Sequence, residues 1–95
     1  MDICSAIANK NYVEFEYEGY PRKAIPFATG NHATTGNKVM RALQVAGGSS
    51  SGKFDFPKLF EVSKITNFKI LDDNFDIPER FEKGDEHIHP IDCEL

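Results

Sequence analysis

Tryptophan is absent from this chain of 95 residues, and methionine and cysteine occur only twice each. No apolar run approaches the roughly 18 residues that a membrane-crossing helix needs. No segment has the apolar centre of a secretory signal either. The chain is therefore expected to be soluble and cytoplasmic. Its two cysteines, Cys4 and Cys93, stand at opposite ends. In a cytosolic protein the plain reading is two reduced thiols. An end-to-end bridge is the other reading, and spacing does not decide between them.

Catalytic apparatus is missing too. No nucleophile has an attendant base, and no pair of acid–base groups stands at a useful spacing, so the chain is not read as an enzyme. The glycine-rich GGSSSGK at 47–53 ends in lysine but lacks the P-loop spacing and a following helix. That excludes nucleotide hydrolysis there, and no cofactor is implied. His87, His89 and Cys93 in HIHPIDC raise the question of a metal. Their spacing matches no standard zinc pattern, and a fourth ligand would have to be Asp92, Cys4 or a distant group. The segment is read instead as part of a disordered acidic tail.

What the chain does have is an uneven charge. Residues 1–71 carry nine Lys/Arg against six Asp/Glu, and residues 72–95 carry two against nine. A +3 body and a −7 end add to the overall −4. A basic body suits an anionic ligand, and an acidic end is either solvated or a built-in competitor for the same surface.

Ile3, Ala6 and Ile7 recur at helical spacing, with Asp2 placed to cap, so residues 2–10 read as a short helix. Over Tyr12–Glu18 the apolar Val13, Phe15 and Tyr17 alternate with Glu14, Glu16 and Glu18, the pattern of a strand with one wet face. Gly19 and Tyr20-Pro21 supply a turn into a second strand, Arg22–Phe27. Residues 28–37 have loop composition. Further strands follow at Lys38–Ala46, Leu59–Ser63 and Thr66–Leu71, and Asp72-Asp73-Asn74 ends the pattern. A short helix is expected near Pro78–Lys83. Residues 1–83 form one domain and 84–95 an acidic tail. The fold class is mainly β (α+β): a small antiparallel sheet of five strands, twisted or partly closed into a barrel, behind an N-terminal helix.

Three cations fall on apolar strand faces. Arg22 is in phase with Ala24 and Pro26, Arg41 with Val39, Leu43 and Val45, and Lys64 with Phe60 and Val62 if the strand reaches it. A charge there needs a partner or a pocket mouth. The plain account is an ion pair, for instance Arg41 with Glu61, or a side chain reaching out to solvent. The functional account is a basic pocket for phosphate, where arginine makes two-point contacts. Ser63 and Ser49–Ser51 would add donors to that pocket. Most aromatics read as core, but Tyr20 and Phe54 flank turns and are candidates to stack on a base.

The stretches AIANKNYVEFEYEGYPRKAIPF, GNKVMRALQVAGGSSSGK, KLFEVSKITNFKI and NFDIPERFEKGD resemble, in order and spacing, the WYL domain. That resemblance spans roughly residues 3–85 and implies a compact SH3/Sm-like barrel that senses nucleotides or nucleic acid through a basic pocket. It places Arg22, Arg41, Lys64 and Ser63 at the pocket. Lys38-Val39-Met40 replaces the Trp-Tyr-Leu triplet, Glu61 stands where a basic residue is common, and no helix-turn-helix lies within these 95 residues. The expected function is a non-catalytic regulatory module that binds a nucleotide or single-stranded nucleic acid through Arg22, Arg41, Lys64, Ser63 and Tyr20. The alternative is a subunit that docks on a partner protein, or on its own copy, with the acidic tail imitating nucleic acid.

Overall fold

The computed structural model describes residues 1–48, 56–79 and 81–95. Ser49–Ser51 and Phe54, candidates above for donors and stacking, lie outside the described residues. Helix α1 (Ile3–Asn9) starts where the Asp2 carboxylate accepts from the Ser5 amide at 3.0 Å, and it ends at Lys10, whose left-handed φ of 53° turns the chain. Ile3, Ala6 and Ile7 are its buried stripe, as their spacing predicts.

Strand β1 (Asn11–Tyr17) is followed after Glu18-Gly19 by β2 (Tyr20–His32). Both linking residues have positive φ, 52° and 79°, which a two-residue hairpin turn requires. Gly19 is thus in the turn as expected, with Glu18 as its partner, while Tyr20-Pro21 already belongs to β2. β2 then pairs antiparallel with β3 (Lys38–Gly47), which pairs with β4 (Lys58–Glu61). β5 (Thr66–Asn74) lies on the other side of β1. β6 (Ile88–Glu94) pairs with the distal half of β2.

The result is one antiparallel sheet of six strands, in the order β4-β3-β2-β1-β5 with β6 attached to β2. It is not closed, so the mainly-β class holds, with one more strand than expected. The extra strand comes from the acidic tail, which is ordered along β2 rather than free. β2 itself runs through residues 28–32, expected as loop, because Gly30 can press against β6: a Cβ there would stand 2.3 Å from the Pro90 carbonyl oxygen. β5 continues through Asp72-Asp73-Asn74, since Asn11 pairs with Asn74. Strand four stops at Glu61 and gives way to a 3-10 turn, Val62–Lys64. No helix forms among the described residues of 78–83, only a turn closed by the Phe81 amide on the Pro78 carbonyl.

Val13 and Phe15 of β1, Ala24 of β2, Met40 and Ala42 of β3 and Phe60 of β4 make the main core with the α1 stripe. Phe60 meets Phe15 and Tyr17 edge to face at 5.1 and 5.0 Å. Each such buried side chain contributes roughly 1.5–3 kcal/mol. The other face of β2 presents Ile25 and Phe27 to Phe75, Phe81 and Leu95. Burial on both faces explains why AIPFA reads as a continuous apolar run. Cys4 and Cys93 are joined in a disulfide; the expected reduced pair gives way to the bridge because α1 and β6 pack side by side. Among the described residues no helix is long and apolar enough to cross a membrane.

Candidate functional site

Arg22 is only 4% exposed. It stands opposite Phe15 in the β1–β2 register, so its side chain enters the end of the main core. Its Nη2 donates to the Tyr17 carbonyl at 3.2 Å and its Nη1 to Gln44 Oε1 at 3.4 Å. Glu18 is 3.6 Å away, and the rings of Tyr17, Phe60 and Tyr20 lie 5.3, 5.4 and 5.9 Å from the guanidinium carbon. Gln44 is locked in turn by bonds to the Ala46 and Gly48 carbonyls. Arg22 is thus a caged cation at the rim of the core. Only its Nε finds no partner.

Arg41 is used differently. Its register neighbour is Leu59, because Val39, two residues earlier, takes Glu61. The Arg41–Glu61 pair expected from the sequence does not form. Instead the guanidinium turns to the loop before β6. Nε meets Asp85 Oδ2 at 2.7 Å, Nη2 meets Asp85 Oδ1 at 3.3 Å and Nη1 meets the Pro57 carbonyl at 3.3 Å. Nη2 also lies 3.2 Å from His87 Nδ1. A guanidinium only donates, so that contact requires Nδ1 to be the accepting nitrogen. The side chains of Arg41 and Asp85 are 20% and 13% exposed. Burial pushes the Asp85 carboxyl up, but the bond from Arg41, the His87 amide and the guanidinium charge outweigh it and hold the carboxyl below the ordinary aspartate range. Phe27, Pro57, Glu82, Lys83, Glu86 and His87 line a cavity of about 450 Å³ beside the pair, so its wall carries three carboxylates against two cations.

The five residues expected to form one pocket are not gathered into one. Arg22 and Tyr20 are neighbours at one end of the sheet. Arg41 and Gln44 have opposite parity on β3, so Arg41 lies on the face away from Arg22. Lys64 and Ser63 are exposed in the 3-10 turn. Lys64 pairs with Glu61 at 3.2 Å, which raises the lysine and, together with Asn37, lowers the glutamate.

A second, larger hollow of about 710 Å³ crosses the sheet between Gly47, Lys23, Glu14 and Lys69. Its charges alternate: Glu14 stands beside Lys23 on β2 and Lys69 on β5, and Lys23 is bonded to Asp73 at 2.9 Å. That surface is close to neutral. Among the described residues no three His, Cys, Asp or Glu side chains come together.

Sequence reasoning did not single out Asp85 or Gln44, and it weighed His87 only as a metal ligand. Asp85 had no spacing signal. The strand behind it did, because Ile91-Asp92-Cys93-Glu94-Leu95 alternates apolar and acidic residues. In comparisons with known proteins, no family model, curated protein or solved structure matches the chain.

Proposed function

We propose that this chain is a non-catalytic, WYL-like regulatory module whose ligand is an anion of the nucleotide or single-stranded nucleic acid class, with Arg41 as its principal contact. One observation carries the reading. Arg41 already grips an oxyanion by two points, Nε and Nη2, at the wall of a cavity, the geometry in which arginine binds carboxylate and phosphate alike. In this state the oxyanion is the chain's own Asp85, so a ligand has to exchange with it. Arg22 serves the fold more than the ligand, and Tyr20 covers it.

The test is fluorescence anisotropy with labelled single-stranded and duplex oligonucleotides at low and physiological salt. Asp85→Asn should strengthen binding and steepen its salt dependence, because phosphates release counterions as they meet the freed guanidinium. Arg41→Gln should abolish it. Equal binding by Arg41→Gln and the parent chain would remove Arg41 from the site.

The open sheet edge favours a second reading. Strand β5 has β1 on one side and no strand on the other among the described residues, the arrangement that accepts an added strand from a partner. Asp72 in β5 and Asp76 just past its end are exposed, acids that would meet a basic protein as nucleic acid does. Absence of oligonucleotide binding by Asp85→Asn would move the assignment to this protein-docking role.

A further inference from the structure

We propose that His87 is a proton-operated latch on Arg41: a proton taken up at Nδ1 draws the Asp85 carboxylate to the imidazolium and frees one guanidinium nitrogen for an oxyanion in the adjoining cavity. This rests on the anion-binding reading above and adds its regulation.

One ring atom faces two opposite charges. His87 Nδ1 lies 3.2 Å from Arg41 Nη2 and 3.6 Å from Asp85 Oδ1. While Arg41 donates to it, Nδ1 holds a lone pair and the ring proton sits on Nε2. A second proton from water can then enter only at Nδ1, between the two partners. It removes an acceptor from Arg41, sets two cations side by side and gives Asp85 a new charged donor. Asp85 Oδ1 already accepts from Arg41 Nη2 at 3.3 Å and from the His87 amide at 2.9 Å. Two bonds fill its lone pairs, so the imidazolium displaces the longer one, from Nη2. Arg41 stays anchored by Nε on Asp85 Oδ2 at 2.7 Å and by Nη1 on the Pro57 carbonyl. Nη2 alone loses both partners, at the cavity wall.

The exchange needs no backbone movement. The His87 side chain is 56% exposed, and its carbonyl stays bonded to the Ala33 amide at 2.8 Å. Around the ring, Glu82, Asp85 and Glu86 stand against Arg41 and Lys83 on the cavity wall. A charged His87 makes three cations against three carboxylates, so the excess of negative charge ends as Nη2 comes free. On the β4 side Pro57 is uncharged, and Lys58 beyond it lies 5.8 Å over the Phe56 ring. On β2 the titratable neighbour is His32, opposite Ile88, whose Nδ1 accepts from the Thr34 and Thr35 amides. His89 follows on the segment itself. Histidine changes charge between about pH 5 and 8, and Asp85, held below the ordinary aspartate range, stays ionised there.

Isothermal titration with sulfate, whose own charge is constant over that interval, tests this on the full chain at fixed ionic strength. The parent, H87Q, H87K and R41Q are compared at about pH 5.5 and about pH 8, with the side-chain nitrogen resonances of Arg41 followed by NMR. The parent should bind about tenfold tighter at the acid end, within the usual range of coupling between sites. Its Arg41 resonances should shift together with the His87 ring. H87Q takes up no proton there, so it should bind weakly at both ends with Arg41 unmoved, although His32 and His89 remain. H87K carries a fixed charge and should bind at the alkaline end as the parent does at the acid end. If Arg41 moves with His87 but none of the four binds sulfate at either pH, the anion-site reading fails and the proton switch survives without it. If the parent and H87Q bind alike at both ends and R41Q does not bind, the site stands and the latch is overturned. Acid-strengthened binding that persists in R41Q would overturn both.

Discussion

Arg41 of β3 and Asp85, three residues before β6, meet at two points 2.7 and 3.3 Å apart. The depressed Asp85 carboxyl fixes the sign of a pH effect. In the unfolded chain an aspartate titrates near pH 4, and in the folded chain Asp85 titrates lower. Its contribution is complete above the unfolded value and is lost as pH falls through the folded one. Asp85→Asn should lower stability by about 1.5–3 kcal/mol near neutrality, the range for hydrogen bonds to charged groups. It should also flatten the loss of stability below about pH 4. Urea midpoints measured across the acid range check this. An unchanged acid limb in the variant would show that the pair is already broken in solution.

How much of this was legible in the chain depends on the pattern around each residue. Glu14, Glu16 and Glu18 between Val13, Phe15 and Tyr17 leave one reading, because a period of two puts all the apolar groups on one face. β2 beyond Phe27 was hidden because Thr29, Gly30 and Asn31 look like loop residues until β6 supplies a neighbour for Gly30. β6 was obscured by Pro90, although Ile91-Asp92-Cys93-Glu94-Leu95 carries the alternation of a strand. The partner of Arg41 was misplaced by register: Glu61 is near in sequence space, but two residues of strand offset give it to Val39. Long-range pairings such as Cys4 with Cys93 carry no local signature.

Arg22 gives a sharper test of structure against binding. Its guanidinium is enclosed by Tyr17, Phe60 and Gln44 and satisfies the Tyr17 carbonyl. Arg22→Met keeps the volume but leaves that carbonyl and Gln44 short of a donor, a loss of about 1–3 kcal/mol. Arg22→Glu buries a carboxylate beside Glu18 and should cost more than about 3 kcal/mol. Denaturant unfolding of both variants measures the difference. Equal stability of the two would mean that the cage is open to water and Arg22 is free to meet a ligand.

Gly30→Ala tests the seam between β2 and β6. The new methyl would fall 2.3 Å from the Pro90 oxygen and 2.7 Å from an Ile88 methyl. Backbone cannot yield as a flexible side chain can, so the strand has to move. A loss of roughly 1–3 kcal/mol is expected. It should be local: amide exchange should quicken in Ile88–Glu94 while Val13 and Phe15 keep their protection. Uniform loss of protection would show that β6 is an integral part of the main folding unit.

Removing the bridge by Cys4→Ser with Cys93→Ser separates two effects that reduction mixes. The 89-residue separation closes a long loop, and restoring that freedom to the unfolded chain should lower stability by about 2–4 kcal/mol. For a chain of this size each kcal/mol lowers the melting midpoint by roughly 4–8 °C. The double variant should therefore melt well below the oxidised parent and close to the reduced one. Because α1 also packs on the main core through Ile3, Ala6 and Ile7, the sheet should persist at room temperature, with the extra mobility confined to β6. Calorimetry and amide exchange on the same sample decide it. A midpoint unmoved from the oxidised parent would mean that the bridge constrains little, and that β6 is held by its pairing with β2 alone.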